Sequence, residues 1–454
     1  MSFLLTWPRT ARLGAIVIGV AALTGLAACG DDDPAPARTD LPYELYCHIG
    51  NSDCQERIYD SLAAMLGAEG FDRPTIRTIS VEQHTDEVRN GLDLGDLNGE
   101  DPRTRGLRLM GFIPEASDSV AETQAEYWIT QIAAYYNRGN HAITVIDRDY
   151  EDVSAQTLLA HELTHAIQHS QFDLNQVGAS ADTEDGVMGV RGVIEGDAMH
   201  SSFAWAYEKL GYLPEEIDWE AIHDEREASA RGQAGDPEVA LIDSASSFPY
   251  SYGFDFMTSA ALSDGLAGRA AAFDSPPATA MEVMAGYGAV LPLFDFPEVA
   301  HPAPVEPHAV EVENRFGAWY LYGFLRRRGV SDHAAWLTVS SWRGDELGIY
   351  ENGSEVVAVW RVRFEHPWVA TILRDEVISD TRDVSWSAVL YEDDVFVFAA
   401  ESNDMLLAWA EQPLDSITAS LVPKAARRGG GAVSVGGCLQ SPRFSLPNPP
   451  PLLH

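Results

Sequence analysis

Leu159, Leu163 and Ile167 return at every fourth position, the spacing of one buried helix face. Ser154 stands where an N-cap belongs, and Glu151 and Asp152 lie near the positive end of that helix. A second buried helix is predicted over Val190–His200, rich in Val193, Ile194, Ala198 and Met199, with Phe203, Trp205 and Tyr207 beyond it. Upstream, Gln55–Leu66 reads as a short helix and Thr75–Val81 alternates as a strand. Ile129–Tyr136 and His141–Ile146 flank an Asn/Gly turn and predict a β-hairpin whose second strand leads into the first helix. An edge strand there can pair with an extended peptide, or be an ordinary sheet strand. The polar stretch Gly91–Arg105 reads as a loop, because its aspartates lack EF-hand spacing. Trp342–Asp345 reads as a turn. Strands follow at Val356–Val362 and Val384–Ala399, the latter broken into a hairpin at Glu392–Asp394.

The order of elements predicts an α+β chain. Residues 42–150 form an N-terminal α/β region with the hairpin, 151–325 a helical catalytic region, and 326–425 a smaller α+β subdomain. The Gly- and Pro-rich residues 426–454 read as a disordered tail. At 454 residues and 46% hydrophobic content, the chain can bury a large core.

The first residues read as a targeting segment. Arg9 and Arg12 precede an apolar run, Leu13–Leu26, too short to span a membrane convincingly. Leu26-Ala27-Ala28-Cys29-Gly30 resembles a bacterial lipobox. That resemblance implies a signal peptide over residues 1–28, lipid on the Cys29 sulfur, and an acidic Pro/Ala tether over 29–41. The expected location is then the bacterial cell envelope, outside the cytoplasm, with attachment to the membrane through lipid. The alternative is a plain secretory signal with a chance cysteine.

Net charge is −39, and loss of the leader's two arginines takes it to −41. Such a surface repels nucleic acid and excludes it as a partner class. Of four cysteines, Cys47 and Cys54 are close enough to form a small-loop disulfide in an oxidising compartment, and Cys438 has no obvious partner.

The chemistry sits on the first helix, which carries His161-Glu162-Leu163-Thr164-His165. One turn apart, His161 and His165 project from the same face and can reach a single zinc ion. Glu162 lies beside them, placed to take a proton from zinc-bound water. A catalytic zinc needs a third protein ligand and an open position. His169 lies too far along the axis to share the ion, roughly 12 Å from His161. Gln171 occupies the place where another zinc class carries its third histidine. Asp173, Asp182, Glu184 and Asp185 fall in polar loop sequence. Glu195 lies in the apolar second helix, where a charge needs a partner: a metal ion, or Arg191 four residues earlier. Asp197 is a candidate for orienting a ligand histidine. Tyr250, after Pro249, is a candidate oxyanion donor or a core aromatic.

His-Glu-x-x-His, Glu195-Gly196-x-Ala198 and Pro249-Tyr250-x-x-Gly253, in this order, resemble the gluzincin zinc peptidases. Nearer still is the likeness to uncharacterised bacterial secreted relatives with a His-Glu-Leu-x-His-Ala-x-Gln run and a later Trp-x-Gly-Asp, here Trp342–Asp345. The resemblance covers roughly 130–370. It implies a zincin-like core with a mixed sheet and an active-site helix, and one zinc ion held by His161, His165 and Glu195. It also implies Glu162 as general base, Tyr250 as transition-state donor, and a peptide or protein substrate. The aminopeptidase Gly-x-Met-Glu-Asn strand has no match, so recognition of a free substrate N-terminus is not implied. The rival readings are a non-catalytic envelope binding protein and a zinc hydrolase of another amide or ester.

Overall fold

The computed structural model describes residues 41–91, 101–114, 120–147, 153–289, 309–351, 355–379, 385–391 and 394–410. Cys29, the leader, the tether up to residue 40, Cys438 and the tail lie outside them. Among the described residues no helix is long and apolar enough to cross a membrane.

The fold is mixed α+β, with two sheets set against a helical core. The smaller sheet contains β1 (Thr75–Ser80), β2 (Ala134–Asn137) and β3 (Ala142–Asp147), in the order β1-β3-β2. β2 and β3 form the antiparallel hairpin, with Ala134 opposite Val145. The strand before the first helix, β3, is nevertheless central, because β1 pairs with its free side in parallel. The edge is β2. Ile129–Gln131 end a helix, Val120–Gln131, rather than starting this strand. Pro102–Leu109 is also helical, where a loop is expected. Asp101 accepts from the Thr104 amide at 2.9 Å and Pro102 supplies a preset φ, which together start a helix.

The second sheet contains β4 (Ala309–Asn314), β5 (Trp342–Glu351), β6 (Val356–Phe364), β7 (Ser385–Tyr391) and β8 (Asp394–Ala400), ordered β4-β5-β6-β8-β7 and antiparallel throughout. Both faces are covered, so β6 and β8 are apolar almost without interruption. Val356, Ala358, Trp360 and Val362 face the main core, which continues into the helices. Val357 and Val359 face the other way, onto Met405, Leu406 and Trp409.

Trp342–Asp345 begins β5 with a bulge instead of forming a turn. Asp345 is buried and accepts four hydrogen bonds, from the backbone amides of Phe316 (3.0 Å) and Gly317 (2.8 Å) and the indoles of Trp342 (3.1 Å) and Trp360 (2.8 Å). It thereby satisfies the N-terminus of the helix Gly317–Arg327 from a different element.

Glu184 and Asp185 are not in a loop but open the helix Glu184–Lys209, capped by Thr183, whose hydroxyl accepts from the Gly186 amide at 3.0 Å. Asp185 is fully buried, and the Ala280 amide donates to its Oδ1 at 2.9 Å. Burial, with Asp345 nearby, pushes its carboxyl up to about 8. The unfolded value is about 3.9, so between pH 4 and 8 the folded chain binds more protons than the unfolded one, and stability falls as pH rises through that window. Asp185→Asn is therefore expected to unfold at a higher temperature than wild type at pH 8, with the difference shrinking towards pH 4. A difference independent of pH in thermal melts would contradict this.

Candidate metal centre

The His-Glu-x-x-His segment lies on the helix Ser154–Phe172, which begins one residue earlier than expected: Ser154 is helical and Val153 holds the cap position. Leu159, Leu163 and Ile167 are buried as expected, but so is the opposite face, since every residue from Ala155 to Gln168 is buried. The helix is held from several sides. Its neighbours include the N-terminal helix Ser52–Met65, β2 and the helix Glu184–Lys209. Cys47 and Cys54 form a disulfide, and Gln156 donates to the Cys47 carbonyl at 2.6 Å, fixing that loop to the histidine helix.

The polar face of this helix meets Glu195 on its neighbour. Glu195 Oε2 lies 3.3 Å from Nε2 of both His161 and His165, and the two Nε2 atoms are 3.0 Å apart. All three side chains are buried. No ion pair joins Glu195 to Arg191 among the described residues; the histidines take that place. Four ligands held tetrahedrally at 2.0–2.1 Å are separated from one another by about 3.3 Å. The donor triangle has nearly that edge, so these residues can hold one metal ion.

The tautomer of His165 follows from its neighbours. Gln168 Nε2 donates to the Ile194 carbonyl at 2.9 Å and to Asp197 Oδ2 at 2.8 Å, which leaves Oε1 facing His165 Nδ1 at 2.8 Å. An oxygen there requires a proton on Nδ1, so in the neutral ring the lone pair is on Nε2 and faces the metal position. Asp197 does not touch a histidine; it orients His165 through Gln168. Arg269, from the helix Phe254–Asp274, donates to Asp197 at 2.8 Å and to Gln171 Oε1 at 2.5 Å, completing a chain of positioning bonds. Gln168→Met is expected to weaken metal binding by about 10–100-fold while preserving the fold. Competition against a chromophoric chelator measures this, and a change under about twofold would remove Gln168 from that role.

Burial dominates the electrostatics. It lowers His161 to about 4. It also opposes charge on His165 and Glu195, but their mutual attraction prevails: His165 rises to about 9 and Glu195 stays well below the usual carboxylate range. Glu162 is also buried, and neither oxygen has a side-chain hydrogen-bond partner; the charge of His165 and, more weakly, the Tyr136 amide on β2 favour its ionised form. Burial, reinforced by Glu195, pushes it up to about 7, the range suited to a group that takes and returns a proton near neutrality.

Tyr250 belongs to a π-helical turn, Pro249–Gly253, and its ring centroid is 6.1 Å from that of His161. Burial, with Glu195 next, raises its hydroxyl well above 10, so it keeps its proton. Two glycines bring it there. A Cβ on Gly196 would meet the Gly253 carbonyl oxygen at 2.1 Å, and one on Gly253 would meet the Gly192 oxygen at 2.5 Å. Glu195-Gly196 and Tyr250-x-x-Gly253 are thus two sides of one backbone contact. His169 stands outside the site, with its ring against Tyr136 and its Nδ1 accepting from the Leu174 amide at 3.2 Å.

The positioning roles of Gln168 and Arg269 were not read from the sequence. Gln168 carries a local signal, three residues after His165 on the same helix; Arg269 has none. No protein-family model matches the chain, nor does any curated protein or solved structure.

Proposed function

We propose that the protein is a zinc-dependent peptidase of gluzincin type with a zincin-like core, anchored through lipid in the bacterial cell envelope, outside the cytoplasm. One observation carries this reading: two imidazoles and a carboxylate converge in a buried site with a base and a hydroxyl donor beside them. Three protein ligands form the open kind of site; a structural zinc is normally closed by four. When bound, zinc supplies a Lewis acid and acidifies water for attack on the scissile carbonyl.

The chain's own residues do the rest. Glu162 accepts a proton from the attacking water and returns it to the leaving amine. Tyr250 donates its O–H to the oxygen on which negative charge develops. Gln168, Asp197 and Arg269 keep His165 in the ligating tautomer. β2 offers an edge beside Glu162 on which an extended peptide can lie.

The test is metal analysis of the purified protein followed by cleavage of an unbiased peptide library. Wild type is expected to hold one zinc ion per chain, to cleave, to lose cleavage with a chelator and to regain it with zinc. A zinc-loaded protein that hydrolyses esters or non-peptide amides but no peptide would redirect the assignment. A fully ligated ion with no hydrolysis would make it a binding protein.

A further inference from the structure

We propose that Arg191 is a receptor for a substrate carboxylate, so that preferred substrates carry an anionic group within about two residues of the bond cleaved. This rests on the peptidase reading. Arg191 is one turn before Glu195 on the same helix face, where side chains are neighbours. Its side chain is half-buried. Nε and Nη2 are enclosed without any acceptor, and no described carboxylate pairs with it.

Carboxylates are not scarce in a chain with 69 acidic and 30 basic residues, yet none of the described ones sits on Arg191. Two buried arginines elsewhere have carboxylate partners, Arg269 with Asp197 and Arg361 with Asp394. Two enclosed N–H groups without an acceptor are destabilising, and that cost is recovered when an acceptor reaches them. The charge also sits beside the site. It acts on the hydroxyls of Tyr127, Tyr250 and Tyr320, and Tyr250 is the ring against His161. The planar fork of arginine fits a carboxylate with two parallel hydrogen bonds, a geometry lysine does not offer. A peptide advances at most about 3.3–3.6 Å per residue, so an anion held one helical turn from the ligand set lies one or two residues from the reacting carbonyl. The carboxylate is either a free C-terminus or an Asp or Glu side chain.

Three probes separate these sources: acetyl-trialanine as the free acid, the same peptide as its C-terminal amide, and acetyl-Ala-Glu-Ala amide. Binding is measured calorimetrically on the full zinc-loaded chain in a Glu162→Gln background, and cleavage on the chain with Glu162 intact. At least one anionic probe is expected to bind about tenfold or more tightly than the neutral amide. Arg191→Gln should remove that preference, and Arg191→Lys should keep part of it. Preference for the free acid alone identifies the C-terminus; preference for the glutamyl amide identifies the side chain. Without peptide, Arg191→Gln is expected to melt no lower than wild type, since it removes an unmatched charge. Misfolding of both Arg191 variants would make the guanidinium structural and overturn the proposal. Equal binding of all three probes, with the amide still cleaved, overturns the receptor and leaves the peptidase. Anion-selective binding that depends on Arg191, without cleavage of any probe, keeps the receptor and overturns the peptidase. No binding of any probe overturns both.

Discussion

Replacing Glu162 with glutamine is expected to lower kcat/KM by about 10²–10⁴ while leaving metal content unchanged. The amide has the shape of the carboxylate, so the packed helix around it is undisturbed. Glu162 is not among the converging donors, so the ion stays. What is lost is a basic oxygen. Glutamine cannot take a proton at neutral pH, whereas Glu162, raised to about 7 by burial, both accepts and releases one there. Folding should not suffer, because an enclosed carboxylate without a side-chain partner is exchanged for a neutral group. Steady-state kinetics and elemental analysis on the same preparation decide the matter. A glutamine variant that cleaves at the wild-type rate sinks the proposed chemistry; one that loses the ion makes Glu162 a ligand.

Gly196→Ala should damage stability and activity together. The added methyl has backbone on its far side, the Gly253 oxygen at 2.1 Å and the Phe254 nitrogen at 2.9 Å, and neither can swing away as a side-chain tip can. Either the π-helical turn moves, carrying Tyr250 with it, or the glutamate helix does, carrying Glu195. The expected loss is about 3 kcal/mol, the upper end of ordinary overpacking. Gly232→Ala is the matched comparison. It lies within the helix Trp219–Gly235 with nothing within 4 Å of its added methyl, and should gain about 0.5–1 kcal/mol from helix propensity. Equal behaviour of the two variants in urea unfolding would show that the contact is looser than its distances.

The features legible beforehand were those encoded at short range. The apolar spacing of Leu159, Leu163 and Ile167 marked the histidine helix, and the burial of Glu195 followed from Val193, Ile194, Ala198 and Met199. The nearness of Cys47 to Cys54 pointed to their bond. What escaped was set by distant partners. β3 is central because β1, more than sixty residues earlier, pairs in parallel with it, and no local pattern announces that. Gly344-Asp345 has the composition of a turn, yet Asp345 is spent on amides at Phe316 and Gly317. The start at Asp101-Pro102 was within local reach, but loop composition around it outweighed the cap signal. Gln168 is visible in the sequence only as the last residue of the His-Glu-Leu-x-His-Ala-x-Gln run. Its task depends on Ile194 and Asp197, which the fold supplies.

The four bonds collected by Asp345 have a consequence for genetics. A random screen for inactive variants should return lesions at Asp345, Trp342 and Trp360 alongside those at the histidines, although none of the three belongs to the donor cluster. Such isolates would be mistaken for catalytic defects in a colony assay. They would part company from true ones at the level of soluble yield, because they loosen the scaffold and not the reaction.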